Sequence, residues 1–142
     1  MADIYHIWCN PKEGVDAKEY ADKIHTFLGE LVKAGKLESF RVMRMKLGFR
    51  SMDLPDFHIM METRNMQQLD DAMSMVGRRT GELEGHHVAM NTLVDMESIQ
   101  HALYRDFPDS FYGQTDEIKK NDNDIKGILE AVKALHEQNK SS

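Results

Sequence analysis

The stretch Ile4-Tyr5-His6-Ile7-Trp8-Cys9, stopped by Asn10-Pro11, decides the fold. It is rich in β-branched and aromatic residues and Gly14 lies just past the stop, which predicts a strand over about residues 3–10. Side chains alternate along a strand, so Tyr5, Ile7 and Cys9 share one face and Ile4, His6, Trp8 and Asn10 the other. A helix follows. Asp16 is its N-cap, with Glu19 placed to complete a capping box. Tyr20, Ile24, Phe27, Leu28 and Leu31 then recur at helical spacing, and Gly35 supplies the left-handed stop.

From Ser39 to Phe49 the pattern returns to that of a strand, and the loop holding Asp53, Leu54, Pro55 and Asp56 turns the chain back into a third strand, Phe57 to Glu62. Asn65, with Gln68 three residues on, caps a helix whose stripe is Met66, Leu69, Met73 and Val76. Gly77 and Gly81 interrupt it, since glycine costs about 1 kcal/mol against alanine inside a helix. A further helical piece is expected from Glu82 to Asp95, with Leu83, Met90, Leu93 and Val94 inward. Ser98 to Phe107 reads as the fourth strand, closed by Pro108. A polar stretch from Gln114 to Asn123 leads to an amphipathic helix carrying Ile125, Ile128, Leu129, Val132 and Leu135 on one side.

The chain has 142 residues, 41% of them hydrophobic, and a net charge of −6. That suits one α+β domain: residues 1–110 form it, and residues 111–142 extend it as a polar linker and helix. The apolar share excludes a disordered chain. The single cysteine, Cys9, excludes an internal disulfide and a thiolate zinc site. With 24 acidic against 18 basic side chains, neither nucleic acid nor an anionic membrane is expected as partner. The start has no signal-like region and no apolar run reaches membrane-spanning length, so a cytoplasmic protein is expected.

The order strand, helix, strand, strand, helix, strand is the ferredoxin-like βαββαβ unit, a four-stranded antiparallel sheet in the order 4-1-3-2 with an extra C-terminal helix. Both crossover helices lie on one side, leaving the other side of the sheet bare. Period two assigns Phe57, Ile59 and Met61, Met43 to Phe49 in alternation, and Ala102 and Tyr104 to the helix side. It assigns Ile4, His6, Trp8, Phe40, Val42, His58, Met60, Ile99, His101 and Leu103 to the bare side. Monomers rarely expose so much apolar surface, so a homodimer packing through Ile4, His6, Trp8, Val42, His58, Met60, His101 and Leu103 is expected. The competing arrangement is a monomer whose last helix folds over that side.

The element order over residues 3–107, the opening Ile4-Tyr5-His6-Ile7-Trp8 strand and the ending Leu103-Tyr104-Arg105-Asp106-Phe107 resemble the dimeric α+β barrel superfamily, in particular bacterial members of unknown activity. That superfamily includes cofactor-free monooxygenases, haem-degrading oxygenases and muconolactone isomerase-like enzymes. The resemblance implies a ligand held within one subunit, between sheet and helices. Its haem-degrading branch uses an asparagine near the first strand, a histidine near the second helix and a tryptophan on the third strand. Asn10 and the pair His86-His87 match two of these positions, but the third strand offers only Phe57, so haem degradation is not implied.

For a cleft on the helix side, Tyr5, His25, Met45, Met61, His86, His87 and Tyr104 are the candidate ligand-binding residues: apolar walls with a few polar tips. Glu84 and His87, three apart, read as a carboxylate–imidazole pair on an exposed helix surface. His6, His58 and His101 on neighbouring strands suggest a metal triad, for which amphipathic residues in a dimer seam are the plainer account. No metal or cofactor is assigned. The expected function is binding of a small apolar or aromatic molecule, with a cofactor-independent oxidation or isomerisation as the associated chemistry. A non-catalytic structural or stress-associated dimer and a metal-binding protein using the sheet histidines are the alternatives.

Overall fold

Asp3–Pro11 is a strand, β1, at the centre of an antiparallel sheet whose other strands are Ser39–Arg44 (β2), Phe57–Thr63 (β3) and Val94–Arg105 (β4). The order is β2-β3-β1-β4, as the crossover argument requires. The computed structural model describes residues 2–140, with the side chains of residues 2–109 and 125–140. Two units make up the chain, one ending at Asp106 and the other starting at Phe107.

In the first unit, Ala17–Lys33 (α1), Met66–Gly77 (α2) and Gly81–Asn91 (α3) lie on one side of the sheet. α1 begins where Asp16 accepts a hydrogen bond from the Glu19 amide at 3.0 Å, and Gly35 at φ 70° follows its end. Its stripe of Tyr20, Ile24, Phe27, Leu28 and Leu31 is buried, each side chain contributing about 1.5–3 kcal/mol of transfer free energy. α2 is capped by Asn65, whose side chain accepts from the Gln68 amide at 2.9 Å. Its buried residues are Gln68, Leu69 and Ala72, while Met66 and Met73 are exposed, so the expected stripe is rotated toward the smaller residue. α3 stops at Asn91, and Val94, expected at a helix end, opens β4.

The sheet is open. β2 and β4 are its two edges and do not bond to each other, so the expectation of an α+β barrel is overturned while the ferredoxin-like topology stands. Four strands are too few for closure, which takes roughly five to eight.

The register also revises two faces. Phe40 pairs with Met61, Val42 with Ile59 and Arg44 with Phe57, so Phe40 and Val42 face the helices. Likewise Leu103 pairs with Tyr5 and His101 with Ile7, whereas Tyr104 pairs with Ile4 and Ala102 with His6. β2 and β4 are therefore each one residue out of phase with the expected assignment, which exchanges their faces entirely. The cause on β2 is its early end. Leu47 (φ 54°) and Gly48 (φ 67°) turn the chain, and Leu47 and Phe49 are 83% and 82% exposed. On β4 an irregularity opposite Trp8 to Asn10 shifts the pairing by three residues, from Trp8 with Gln100 to Asn10 with Asp95.

The second unit contains one long helix, Ser110–Lys140 (α4). It runs unbroken through residues 114–123, expected as a linker, and Ile125, Ile128, Leu129, Val132 and Leu135 are exposed along it. No helix among the described residues is long and apolar enough to cross a membrane.

Candidate functional site

Between the helix side of the sheet and α1, α2 and α3 lies a cavity of about 220 Å³. β1 supplies Tyr5, Ile7 and Cys9, β3 supplies Ile59 and Met61, α1 supplies Tyr20 and Ile24, and α2 supplies Ala72, Met73 and Val76. α3 closes it with His87, Met90 and Asn91. A cavity of roughly 150 Å³ with apolar walls stays dry and holds benzene, while drug-sized ligands need roughly 300–1,000 Å³. The space therefore fits one ring with substituents. Among the described residues, no lysine, arginine or carboxylate lines it.

Its polar groups are few and mostly paired. The Cys9 thiol and Tyr20 hydroxyl lie 3.0 Å apart. Burial pushes the Cys9 thiol above its ordinary range, opposed by that hydrogen bond, and pushes the Tyr20 hydroxyl up as well, with Cys9 adding to the effect. Both stay protonated at neutral pH. The Tyr5 hydroxyl is also raised, by burial. On α3, the Asn91 amide nitrogen is 2.9 Å from His87 Nε2, and the imidazole stacks on Phe27 with centroids 5.1 Å apart. Behind it, Glu84 Oε2 stands 3.5 Å from His87 Nδ1, and both atoms are buried without a hydrogen-bond partner among the described residues.

Of the expected ligand-binding residues, Tyr5, Met61 and His87 line this cavity. His25 is exposed and tilts against Phe40 at 5.3 Å, and Met45 lies in the β2–β3 loop beside Trp8. His86, on α3, is not in the wall, and Tyr104 faces the opposite side of the sheet. Cys9, expected on the helix side as a polar tip of the cleft, also lines it, whereas Tyr20 and Asn91 line it without having been singled out by spacing. A signal for the α3 residues exists: Leu83, His87 and Met90 recur at helical spacing, placing His87 on the inward stripe rather than on an exposed surface.

The bare side of the sheet carries a second cluster. His6 stacks on His58 with centroids 5.1 Å apart, Trp8 stacks on His58 at 4.6 Å, and Tyr104 meets His6 edge-on at 4.8 Å. Ile4 and Met60 share this side by register. His101 does not: it faces the helices and tilts against Tyr5 at 5.9 Å. The histidine triad is thereby divided between two surfaces. Among the described residues no group of three or more His, Cys, Asp or Glu side chains is placed to hold a metal ion. Asn10 is engaged too, its side-chain oxygen accepting from the Asp56 amide at 2.8 Å.

A model of a family of unknown function, DUF6614, matches residues 2–118. No curated protein matches the chain. Among solved structures, a dimeric ferredoxin-like protein of unknown function from Jannaschia sp. CCS1 is similar over 75% of this chain and 100% of its own, at 8% identity and a TM-score of 0.56. An Arabidopsis thaliana protein is similar over 76% of this chain and 98% of its own, at 10% identity and a TM-score of 0.58. A dimeric ferredoxin-like protein of unknown function from Thermobifida fusca covers 73% and 90%, at 11% identity and a TM-score of 0.50. At such identities the likeness speaks to the fold, and it is to ferredoxin-like proteins rather than to a closed barrel.

Proposed function

We propose that this chain, which belongs to the family of unknown function DUF6614, is a homodimeric ferredoxin-like protein that binds a small apolar or aromatic molecule between its sheet and helices. The observation that carries the reading is the cavity of about 220 Å³, apolar apart from a few hydroxyl, thiol, imidazole and amide tips. Such a wall gains affinity from desolvating the ligand and orientation from its polar groups.

The test is binding of toluene, indole and p-cresol, followed by melting temperature and by methionine methyl NMR shifts at Met61 and Met90. At least one probe raises the melting temperature and moves both methyls in the native protein. Ala72→Leu, which fills the wall from α2, abolishes both effects. The reading fails when no probe binds, or when all bind the filled variant equally well.

The dimer reading is supported by a specific feature: Ile4, Trp8, Met60 and Tyr104 gather on a side of the sheet that no helix of the first unit covers, and Tyr104 is 58% exposed. The similar proteins from Jannaschia and Thermobifida fusca are described as dimeric. A second copy seated there buries the cluster with two-fold symmetry. Sedimentation equilibrium of Trp8→Glu and Met60→Glu checks this. Both are expected to sediment as single chains where the native protein sediments as pairs, and a native protein that stays single at high micromolar concentration removes the reading.

A further inference from the structure

We infer that Glu84, His87 and Asn91 form a proton-accepting site for a neutral ligand bearing an acidic hydroxyl, of the phenol or enol class. The inference rests on the cavity being a ligand site and adds the chemistry of its polar corner.

The tautomer of His87 follows from its neighbours. The Asn91 amide nitrogen can only donate, so His87 Nε2, 2.9 Å away, accepts and the ring proton sits on Nδ1. The opposite tautomer would aim a lone pair at the Glu84 carboxylate. Nδ1–H and Glu84 Oε2 are 3.5 Å apart, beyond a good hydrogen bond, and neither atom has another partner among the described residues. Buried polar atoms are normally satisfied, so this pair is incomplete as it stands. Charging the imidazole would complete it, turning a weak contact into a charge-assisted one.

The basic nitrogen, Nε2, belongs to a ring in the cavity wall, and the stack on Phe27 fixes the ring's plane. A ligand hydroxyl replacing the Asn91 amide at Nε2 would transfer its proton there. The O–H electron pair stays on the ligand oxygen, the imidazolium forms between that oxygen and Glu84, and the released Asn91 amide donates to the oxyanion. Charge is conserved and the ion pair is created in place. The wall also indicates which ligands are unsuited: among its described residues there is no lysine or arginine to compensate a ligand that enters already ionised. A neutral acid that ionises only on arrival avoids that cost.

The probe is 4-nitrophenol, whose anion is yellow, with nitrobenzene as the non-ionisable control. Below the pH at which free 4-nitrophenol ionises, the native protein is expected to turn bound dye yellow, raising its ionised fraction about tenfold, equivalent to one pKa unit. Bound 4-nitrophenol should stay colourless in His87→Gln and lose most of its colour in Glu84→Gln, with the amount of dye bound to each variant measured by equilibrium dialysis. If neither compound binds, this inference and the cavity reading fall together. If nitrobenzene binds but 4-nitrophenol stays colourless, or is equally yellow in His87→Gln, the cavity reading stands and this inference is overturned.

Discussion

His6 Nδ1 lies 2.8 Å from His58 Nε2 on the side of the sheet that no helix of the first unit covers, so one imidazole donates and the other accepts. Burial holds His6 below the ordinary histidine value of 6.5, and burial followed by the charge of His6 does the same to His58. Both rings are therefore neutral at pH 7. Lowered values in the folded state mean that the unfolded chain binds more protons just below pH 6.5, so stability is complete above that pH and lost as the pH falls toward the lowered values. The melting temperature should drop between pH 7 and pH 5, and His58→Gln should flatten that slope. An identical slope in the variant would assign the acid sensitivity to other groups.

Arg105 Nε donates to Asp3 Oδ1 at 2.5 Å, tying the end of β4 to the start of β1. The Asp3 side chain is 3% exposed. Removing the cation leaves a buried carboxylate without this partner, which costs about 3–5 kcal/mol. Urea unfolding of Arg105→Met should show that loss, and Asp3→Leu combined with Arg105→Met should recover much of it. A single variant within about 1 kcal/mol of native would show the pair to be dispensable.

Gln68, 2% exposed, accepts from the Arg64 amide at 2.8 Å and donates to the Gly35 carbonyl at 3.0 Å and to Glu38 at 3.1 Å. It joins the turn after α1 to the start of α2. Gln68→Leu should cost about 2–4 kcal/mol, because backbone groups on both sides lose their partner at once. Gln68→Glu keeps the acceptor but sets a second carboxylate beside Glu38, so its loss should shrink at low pH. Chemical denaturation at pH 7 and pH 4 distinguishes the two.

Cys9 is 2% exposed, and burial raises its thiol above the ordinary range. The thiolate is the reactive form, so native protein should react with a disulfide reagent at least about a hundredfold more slowly than protein in denaturant. Rapid labelling of folded protein would show that the cavity opens to solvent often enough to expose β1.

Much of the frame was legible because local chemistry alone specifies it. Asp16, Asn65 and Gly35 occupy the cap and stop positions that their side chains or backbone freedom suit, and the α1 stripe is buried as spaced. β1 and β3 also present the expected faces. The faces of β2 and β4 were not legible. On β2, the run Met43, Met45, Leu47 and Phe49 makes a stronger apolar alternation than Phe40 and Val42, yet the strand ends at Arg44. On β4, the phase depends on pairing with a strand far away in sequence, which no local pattern encodes. The barrel expectation came with the family resemblance, and the pairing of the strands, not the alternation of residues, removes it. The cavity corner stayed hidden for a related reason: Glu84 and His87 form an ordinary helix-surface spacing until α3 packs against α1.

The central position of β1 governs how the protein is made. Its β4 partner is remote, with Asp3 and Arg105 separated by 102 positions. A ribosome adding about 5–20 residues per second leaves the first strand without that neighbour for roughly 5–20 s after it emerges. β3 emerges only about halfway through that interval and then flanks Trp8 and Ile4 on one side, so the central strand lacks its full pairing until the last strand arrives, and slower translation lengthens that exposure.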